Sequence, residues 1–237
     1  MFDISVIIPT INEGKYLEKT LKAVKAQDTK LKYELLICDS GSKDRTLEIA
    51  KRYTNKIFNI EKHGIWHGRN EGAKRAKGKI FVFIDADTLI PRNYLNAIYS
   101  VMQNQDVVGI SCAFNFDKKD RILEFIQNIQ NRYLVLKAID GKGSLLGCNI
   151  SIKRESFFKV GGFPNAPQED SAMTKVLEKH GKIMFLPTPK VITSSRRVKK
   201  TGVVNTLLYY ANLELVSNNK NEALKKISVF KDYKEVR

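Results

Sequence analysis

Apolar residues along this chain alternate between two periods. Short runs rich in Ile, Val, Leu and Phe occupy Ile4–Pro9, Tyr33–Cys38, Ile57–Ile60 and Ile80–Ile84. Runs of this kind predict short strands, and the longer ones read as buried on both faces. Between them, apolar positions recur every three or four residues. Leu17, Leu21 and Val24 mark a first helix, Lys43–Tyr53 a second with Ser42 as its cap, and Arg69–Lys77 a third, built on Ala73 and Ala76 and closed by Gly78. His63–Gly68 reads as a loop. This strict alternation over the first half of the chain predicts a doubly wound parallel sheet.

Beyond it the pattern loosens. Val107–Ala113 and Ile183–Leu186 read as strands, and Gly141–Ile152 is punctuated by glycine. Ile122, Phe125, Ile126, Ile129, Tyr133 and Leu136 fall on one face of a helix. A further helix starts near Arg154, Gly161–Pro164 is a turn, and Gln168-Glu169-Asp170 opens a helix running to about His180. Val203–Ser217 is helical and apolar on most sides, and a lysine-rich tail follows.

Composition narrows the class. With 237 residues, 43% of them hydrophobic and 28% charged, the chain suits one large soluble α/β domain. It has no apolar run long enough to span a membrane and opens directly on a strand pattern, so neither a spanning helix nor a leader is expected. Cys38, Cys112 and Cys148 are scattered and form no C-x-x-C, which argues against zinc and disulfide scaffolds and for a reducing, cytoplasmic setting. The net charge of +16 points to an anionic membrane surface or phosphate-bearing substrates, with a solvated lysine-rich surface as the plain alternative. No arginine-rich tail or aromatic–basic motif accompanies it, so nucleic acid is not an expected partner.

Candidate chemistry gathers at strand ends. Asp85 and Asp87 follow the Ile80–Ile84 run, separated only by Ala86. In open α/β sheets ligands collect outside the carboxyl ends of the strands. Two carboxylates this close favour a cation beside them, and oxygen ligands suit Mg2+ or Mn2+ shared with a phosphate. Thr10, Glu13 and Asp39 stand at the ends of the first and second strands, where Asp39 is placed to accept hydrogen bonds from a base or a ribose. Each residue, taken singly, is equally a turn former or a helix starter. The first strand is followed by neither G-x-G-x-x-G nor a phosphate-binding G-x-x-x-x-G-K-[ST].

The segments SVIIPTINE, DSGSKDRT, GRNEGAKRAKGKIFVFIDADT, GCN, GGF and QED occur in this order. Over about residues 3–190 the ordered set resembles the inverting glycosyltransferases of family 2. The resemblance implies a GT-A fold: an α/β, Rossmann-like, mostly parallel central sheet with helices on both faces. It implies a nucleotide pocket lined by Pro9, Thr10, Glu13, Asp39 and Gly41, with Arg69 beside the phosphates. Asp85, Ala86 and Asp87 match the family's D-x-D, which holds Mg2+ or Mn2+ on the diphosphate. Leu89 stands where some polyprenyl-phosphate members carry Gln, so this loop offers no third side-chain ligand. Asp170 becomes the expected base, with Glu169 as neighbour or substitute. Arg196 and Arg197 resemble a paired arginine that reaches the diphosphate or an acceptor phosphate. His67 and Trp66 border the nucleotide loop, where His67 would contact phosphate and Trp66 would stack on a base or sugar or simply pack.

The expected organisation is one catalytic domain over 1–200, with its nucleotide half about 1–110 and its acceptor half about 111–200, then a helix and tail over 201–237. The expected activity moves a sugar from a UDP- or GDP-linked donor to the hydroxyl of a glycan or lipid-linked acceptor. The setting is the cytoplasm, with peripheral contact at the inner face of an anionic membrane. The alternatives are a non-catalytic nucleotide-sugar-binding relative and a sugar-nucleotide pyrophosphorylase. The latter should carry a glycine-rich, arginine-bearing loop after the first strand, which PTINE lacks.

Overall fold

The computed structural model describes residues 1–61, 64–166 and 168–202. His63, the expected helix at Val203–Ser217 and the lysine-rich tail lie outside the described residues. The chain divides into two compact units, Met1–Thr193 and Ser194–Arg237.

In the first unit, β1 (Phe2–Thr10), α1 (Leu17–Lys25), β2 (Tyr33–Asp39), α2 (Thr46–Lys51), β3 (Ile57–Asn59), α3 (Ile65–Arg75) and β4 (Gly78–Ile84) alternate strand and helix. There follow β5 (Thr88–Leu89), α4 (Tyr94–Met102), β6 (Val107–Phe116), α5 (Arg121–Lys137), β7 (Asn149–Lys153), α6 (Arg154–Lys159), α7 (Glu169–Leu177) and β8 (Lys182–Thr193). In the second unit, α8 spans Arg196–Thr201. No helix among the described residues is long and apolar enough to cross a membrane.

The strands form one sheet in the order β3-β2-β1-β4-β7-β6-β8-β5. β1 to β4 are parallel, and β6 is parallel to β8. β7 runs antiparallel to both β4 and β6, and β5 antiparallel to β8. The sheet is therefore mixed but mostly parallel.

Alternation along the strands explains the two cores. In β4, Ile80, Val82 and Ile84 join Ile4, Val6 and Ile8 of β1 on one face, covered by α1, α2 and α4. Phe81 and Phe83 point the other way, with Ile7, and pack against α3, α6 and α7. A strand covered on both faces favours apolar residues at successive positions, which is why the run in β4 is continuous.

Three local expectations change. α3 begins at Ile65, so Trp66 and His67 sit in a helix rather than a loop. Ser42 does not cap α2. Its hydroxyl bonds to Asp39, and Arg45 takes the cap position. The glycine-punctuated segment ends in β7, a central strand of the sheet.

A fourth difference concerns α5. An amphipathic helix normally turns its apolar stripe to the core, yet Ile122, Phe125, Ile129, Tyr133 and Leu136 are exposed. The face against the sheet carries Leu123, Ile126 and Leu134 together with Gln127 and Asn131. The reason lies in β6, whose register against β8 slips between Cys112 and Phe114. Asn131 accepts from the Phe114 N–H and donates to its carbonyl, while Gln127 accepts from the Phe116 N–H. Backbone groups near the slip must be satisfied where they are buried, and these two amides fix which face of α5 turns inward.

Candidate active site

Sequence-predicted residues from the ends of β1 and β2 come together. Asp39 is buried, and both of its oxygens are occupied. Oδ1 accepts from Thr10 Oγ1 at 2.8 Å and from the Ser42 hydroxyl, while Oδ2 accepts from the backbone N–H groups of Gly41 (3.1 Å) and Ser42 (2.8 Å). The two loops are zipped further along. The N–H of Asn12 donates to Ser42 Oγ, that of Lys43 to Asn12 Oδ1, and that of Glu13 to Thr46 Oγ1. Asn12 takes a left-handed backbone (φ 52°), which asparagine tolerates better than most side chains. A pocket of about 680 Å3 opens beside this turn, lined in part by Asp39, Gly41, Ser42, Leu47, Lys51 and Asn59. Its volume is in the range of small-molecule sites. Pro9 is half-buried, and Glu13 half-exposed near the same strand ends.

A second cluster forms at the end of β4. Arg69, on α3, is fully buried. Its Nη2 donates to Asp85 Oδ1 at 2.9 Å and to the Gly147 carbonyl at 2.6 Å, and its Nη1 donates to Glu169 Oε1 at 2.7 Å. The N–H of Gly147 in turn donates to Asp170 Oδ2 at 2.9 Å. One residue, Gly147, thus links the guanidinium to Asp170 through its carbonyl and its N–H. Arg69, expected beside the nucleotide and its phosphates, is a buried tie between Asp85 at the strand end and Glu169 at the start of α7, carried on a helix that packs on β1 and β2. Burial alone would lower the pKa of Arg69, but the charges of Asp85, Glu169 and Asp170 outweigh it and hold the guanidinium protonated. Burial raises the Glu169 carboxyl above the ordinary carboxylate range against the pull of Arg69, and neighbouring Asp170 adds to the rise.

The backbone around this cluster is constrained by contact. A Cβ on Gly147 would lie 3.2 Å from Asp170 Oδ2, so a side chain there would press on the carboxylate. Asn70, next to Arg69, clamps Phe163 at both backbone groups, at 2.9 and 2.8 Å. The Phe163 ring lies 5.2 Å from the guanidinium carbon of Arg69, a cation–π contact. Gly162 has φ 84°, and a Cβ there would come within 2.7 Å of Asn70 Oδ1. The GRN and GGF segments are therefore two halves of one clamp.

Asp85 and Asp87 are both half-exposed, while Ala86 between them is buried, its carbonyl accepting from Thr20 Oγ1. Among the described residues, no group of three or more His, Cys, Asp or Glu side chains is arranged to hold a metal ion. Two half-exposed carboxylates remain a fitting donor set for Mg2+ or Mn2+, which take oxygen ligands and usually complete their shell with substrate phosphate and water. Cys148 stands against them. Burial first, then the charges of Asp85, Asp87 and Asp170, push its thiol up to about 12, so it is a neutral thiol and a poor ligand at neutral pH.

Arg196 and Arg197 form the exposed first turn of α8 in the second unit. Trp66 and His67 make an edge-on ring pair at 5.2 Å. The sequence alone assigned no place in the site to Ser42, Asn70, Gly147, Cys148 or Phe163. Their signal was present in the DSGSKDRT, GRN, GCN and GGF segments, without the pairing that gives it meaning.

Comparison with known proteins agrees with this architecture. Glycosyltransferase AglE of Haloferax volcanii is 30% identical over 171 residues, covering 68% of this chain and 56% of that protein. The chain thus spans little more than half the length of this relative. A transferase of Methanococcus voltae, dolichyl N-acetyl-alpha-D-glucosaminyl phosphate 3-beta-D-2,3-diacetamido-2,3-dideoxy-beta-D-glucuronosyltransferase, is 38% identical over 100 residues, 39% of this chain and 31% of its own. Among solved structures, the mannosyltransferase PcManGT from Pyrobaculum calidifontis, in complex with GDP-Man and Mn2+, aligns with a TM-score of 0.68 at 22% identity, covering 100% of this chain and 72% of that one. The fold is GT-A. Residues 5–161 match the sequence profile described as glycosyl transferase family 2, well over half of the chain, and the chain belongs to that family.

Proposed function

We propose that this chain transfers a sugar from a nucleoside diphosphate donor to an acceptor hydroxyl with inversion at the anomeric carbon. The observation that carries the reading is the junction made by Arg69. Carboxylates from the end of β4 and from the start of α7 are drawn to one place, at the same end of the parallel strands as the pocket beside Asp39.

In this reading the pocket beside Asp39 takes the base, and Asp39 exchanges a hydroxyl partner, Thr10 or Ser42, for a donor on the base or ribose. Pro9, Glu13 and Gly41 complete the wall. Asp85 and Asp87 hold the Mg2+ or Mn2+, which supplies charge neutralisation on the departing nucleoside diphosphate. Asp170 removes the acceptor proton as the acceptor oxygen bonds to the anomeric carbon and the bond to the diphosphate breaks. Its carboxylate is half-exposed and held by the N–H groups of Gly147 and Ser171 (2.8 Å), which fixes its aim without occupying every lone pair. Glu169, tied to Arg69, positions Asp170 rather than acting as base. Arg196 and Arg197 are proposed to engage phosphate.

The relatives bear on the ligands. GDP-Man with Mn2+ occupies PcManGT, UDP-GlcNAc a TarS structure, and a dolichyl phosphate glycan is named as acceptor for the M. voltae enzyme. These ligands support a UDP- or GDP-sugar donor and a glycan or lipid-linked acceptor as the proposed substrates of this chain. Thermal unfolding with a panel of UDP-, GDP- and dTDP-sugars, with and without Mn2+, tests the donor half. Stabilisation by one donor only when metal is present is the expected result, and no stabilisation by any of them would overturn the reading.

A further inference from the structure

The exposed stripe on α5 is used by nothing in the proposed reaction. Ile122, Phe125, Ile129, Tyr133 and Leu136 are 44–66% exposed, and Ile139 beyond the helix end is 71% exposed. At the helical rise of 1.5 Å per residue the stripe runs for about 20 Å. A contiguous apolar surface of this kind marks an interaction site. From the helical period, its borders are basic: Arg121 and Arg132 fall along one edge and Lys137 along the other. Glu124, the acid of the first turn, falls away from both edges.

We infer that this face of α5 seats on the surface of a bilayer containing anionic lipid. An apolar stripe bordered by arginine and lysine is the pattern of a helix lying in the membrane interface. The apolar side chains enter the acyl boundary, and the long basic side chains reach the phosphates. Charge complementarity favours this occupant over a second copy. Two-fold pairing would bring Arg121, Arg132 and Lys137 towards their own copies, on a chain already carrying +16. Topology gives the contact a use. β6 is antiparallel to β7 and β7 to β4, so β6 ends on the same sheet edge as Asp85, and α5 starts there. A bilayer under the start of α5 adjoins the edge where the carboxylates gather, which suits the lipid-linked acceptor class and rests, for that clause, on the proposed transfer.

The test is flotation of the full chain with phosphatidylcholine vesicles, with or without phosphatidylglycerol, at physiological salt. The native chain is expected to float with the anionic vesicles only. Phe125→Glu with Ile129→Glu, both on exposed positions, is expected to weaken binding at least about tenfold, since burying one such side chain is worth that much. Arg121→Gln with Arg132→Gln keeps the stripe and is expected to lose the preference for anionic lipid. Circular dichroism and light scattering accompany each variant. A native chain that does not float, or a Phe125→Glu, Ile129→Glu variant that floats equally, overturns the inference. Self-association that this variant abolishes assigns the face to a second copy and also overturns it. Flotation involves no donor, so a chain that floats but binds no nucleotide sugar retains this inference while the transfer reading fails.

Discussion

Nη2 of Arg69 lies 2.9 Å from Oδ1 of Asp85, and the arginine side chain has no exposed surface while the aspartate is 29% exposed. A strand-end carboxylate facing solvent is thus fixed from behind by a charge that solvent does not reach. The same guanidinium fixes Glu169, 100 residues further along the chain.

Removing that charge leaves a buried carboxylate without its partner. Arg69→Met is expected to destabilise the fold by about 3–5 kcal/mol, measured by chemical denaturation. Adding Glu169→Gln should recover part of the loss, because a neutral amide tolerates the site better. Equal stability of native and Arg69→Met chains would show that the tie contributes nothing.

Asp87, half-exposed at the same strand end, is the second proposed cation ligand. Asp87→Asn should lower the apparent Mn2+ affinity seen in donor-dependent stabilisation by more than about tenfold. Undiminished metal dependence would remove Asp87 from the cation site.

Asp170→Asn separates chemistry from binding. Turnover is expected to fall about a hundred- to ten-thousand-fold, with donor affinity by calorimetry unchanged. Gly147→Ala should move in the same direction by a smaller step, since its Cβ presses on Asp170 Oδ2. A loss of donor affinity equal to the loss of turnover would place Asp170 in the donor site instead.

Acid stability should depend on Glu34. This carboxylate, near the start of β2, is buried and accepts from Ser5 of the neighbouring β1. Burial pushes its pKa up, but hydrogen bonds from Lys56, Ser5 and the Lys77 N–H outweigh that and hold it below its ordinary 4.5. A depressed carboxylate contributes stability that is complete above its unfolded value and is lost as pH falls through the folded one. Melting temperature should therefore drop as pH falls below about 4.5, and Glu34→Gln should flatten that part of the curve. A native profile matched by Glu34→Gln would assign the acid limb to other groups.

Much of this was legible in the residues, for physical reasons that differ by element. Ile80–Ile84 announced a central strand because burial on both faces favours apolar residues at successive positions, and Asp85 and Asp87 announced its end. The role of Arg69 was not legible, because its partners come from segments distant in sequence, and burial is a property of the assembled sheet. The period of α5 was plain while its orientation was not. Asn131 and Gln127, unremarkable as letters, turn the helix by answering backbone groups near the slip in β6. Ser42 looked like a helix cap for the same local reason that makes it a ligand of Asp39, a short hydroxyl in a turn.

The reversed strand β7 has a consequence for how such a protein diversifies. A strictly parallel sheet returns its connections to the far edge, away from the ligands. With β7 running backwards between β4 and β6, the chain re-enters the sheet at Gly147–Asn149, beside Asp85, having left it at Phe116 on the same edge. Everything from 117 to 146 is an excursion that starts and finishes over the carboxylates. Its length and exposed positions can change without altering the register of β1, β2 and β4.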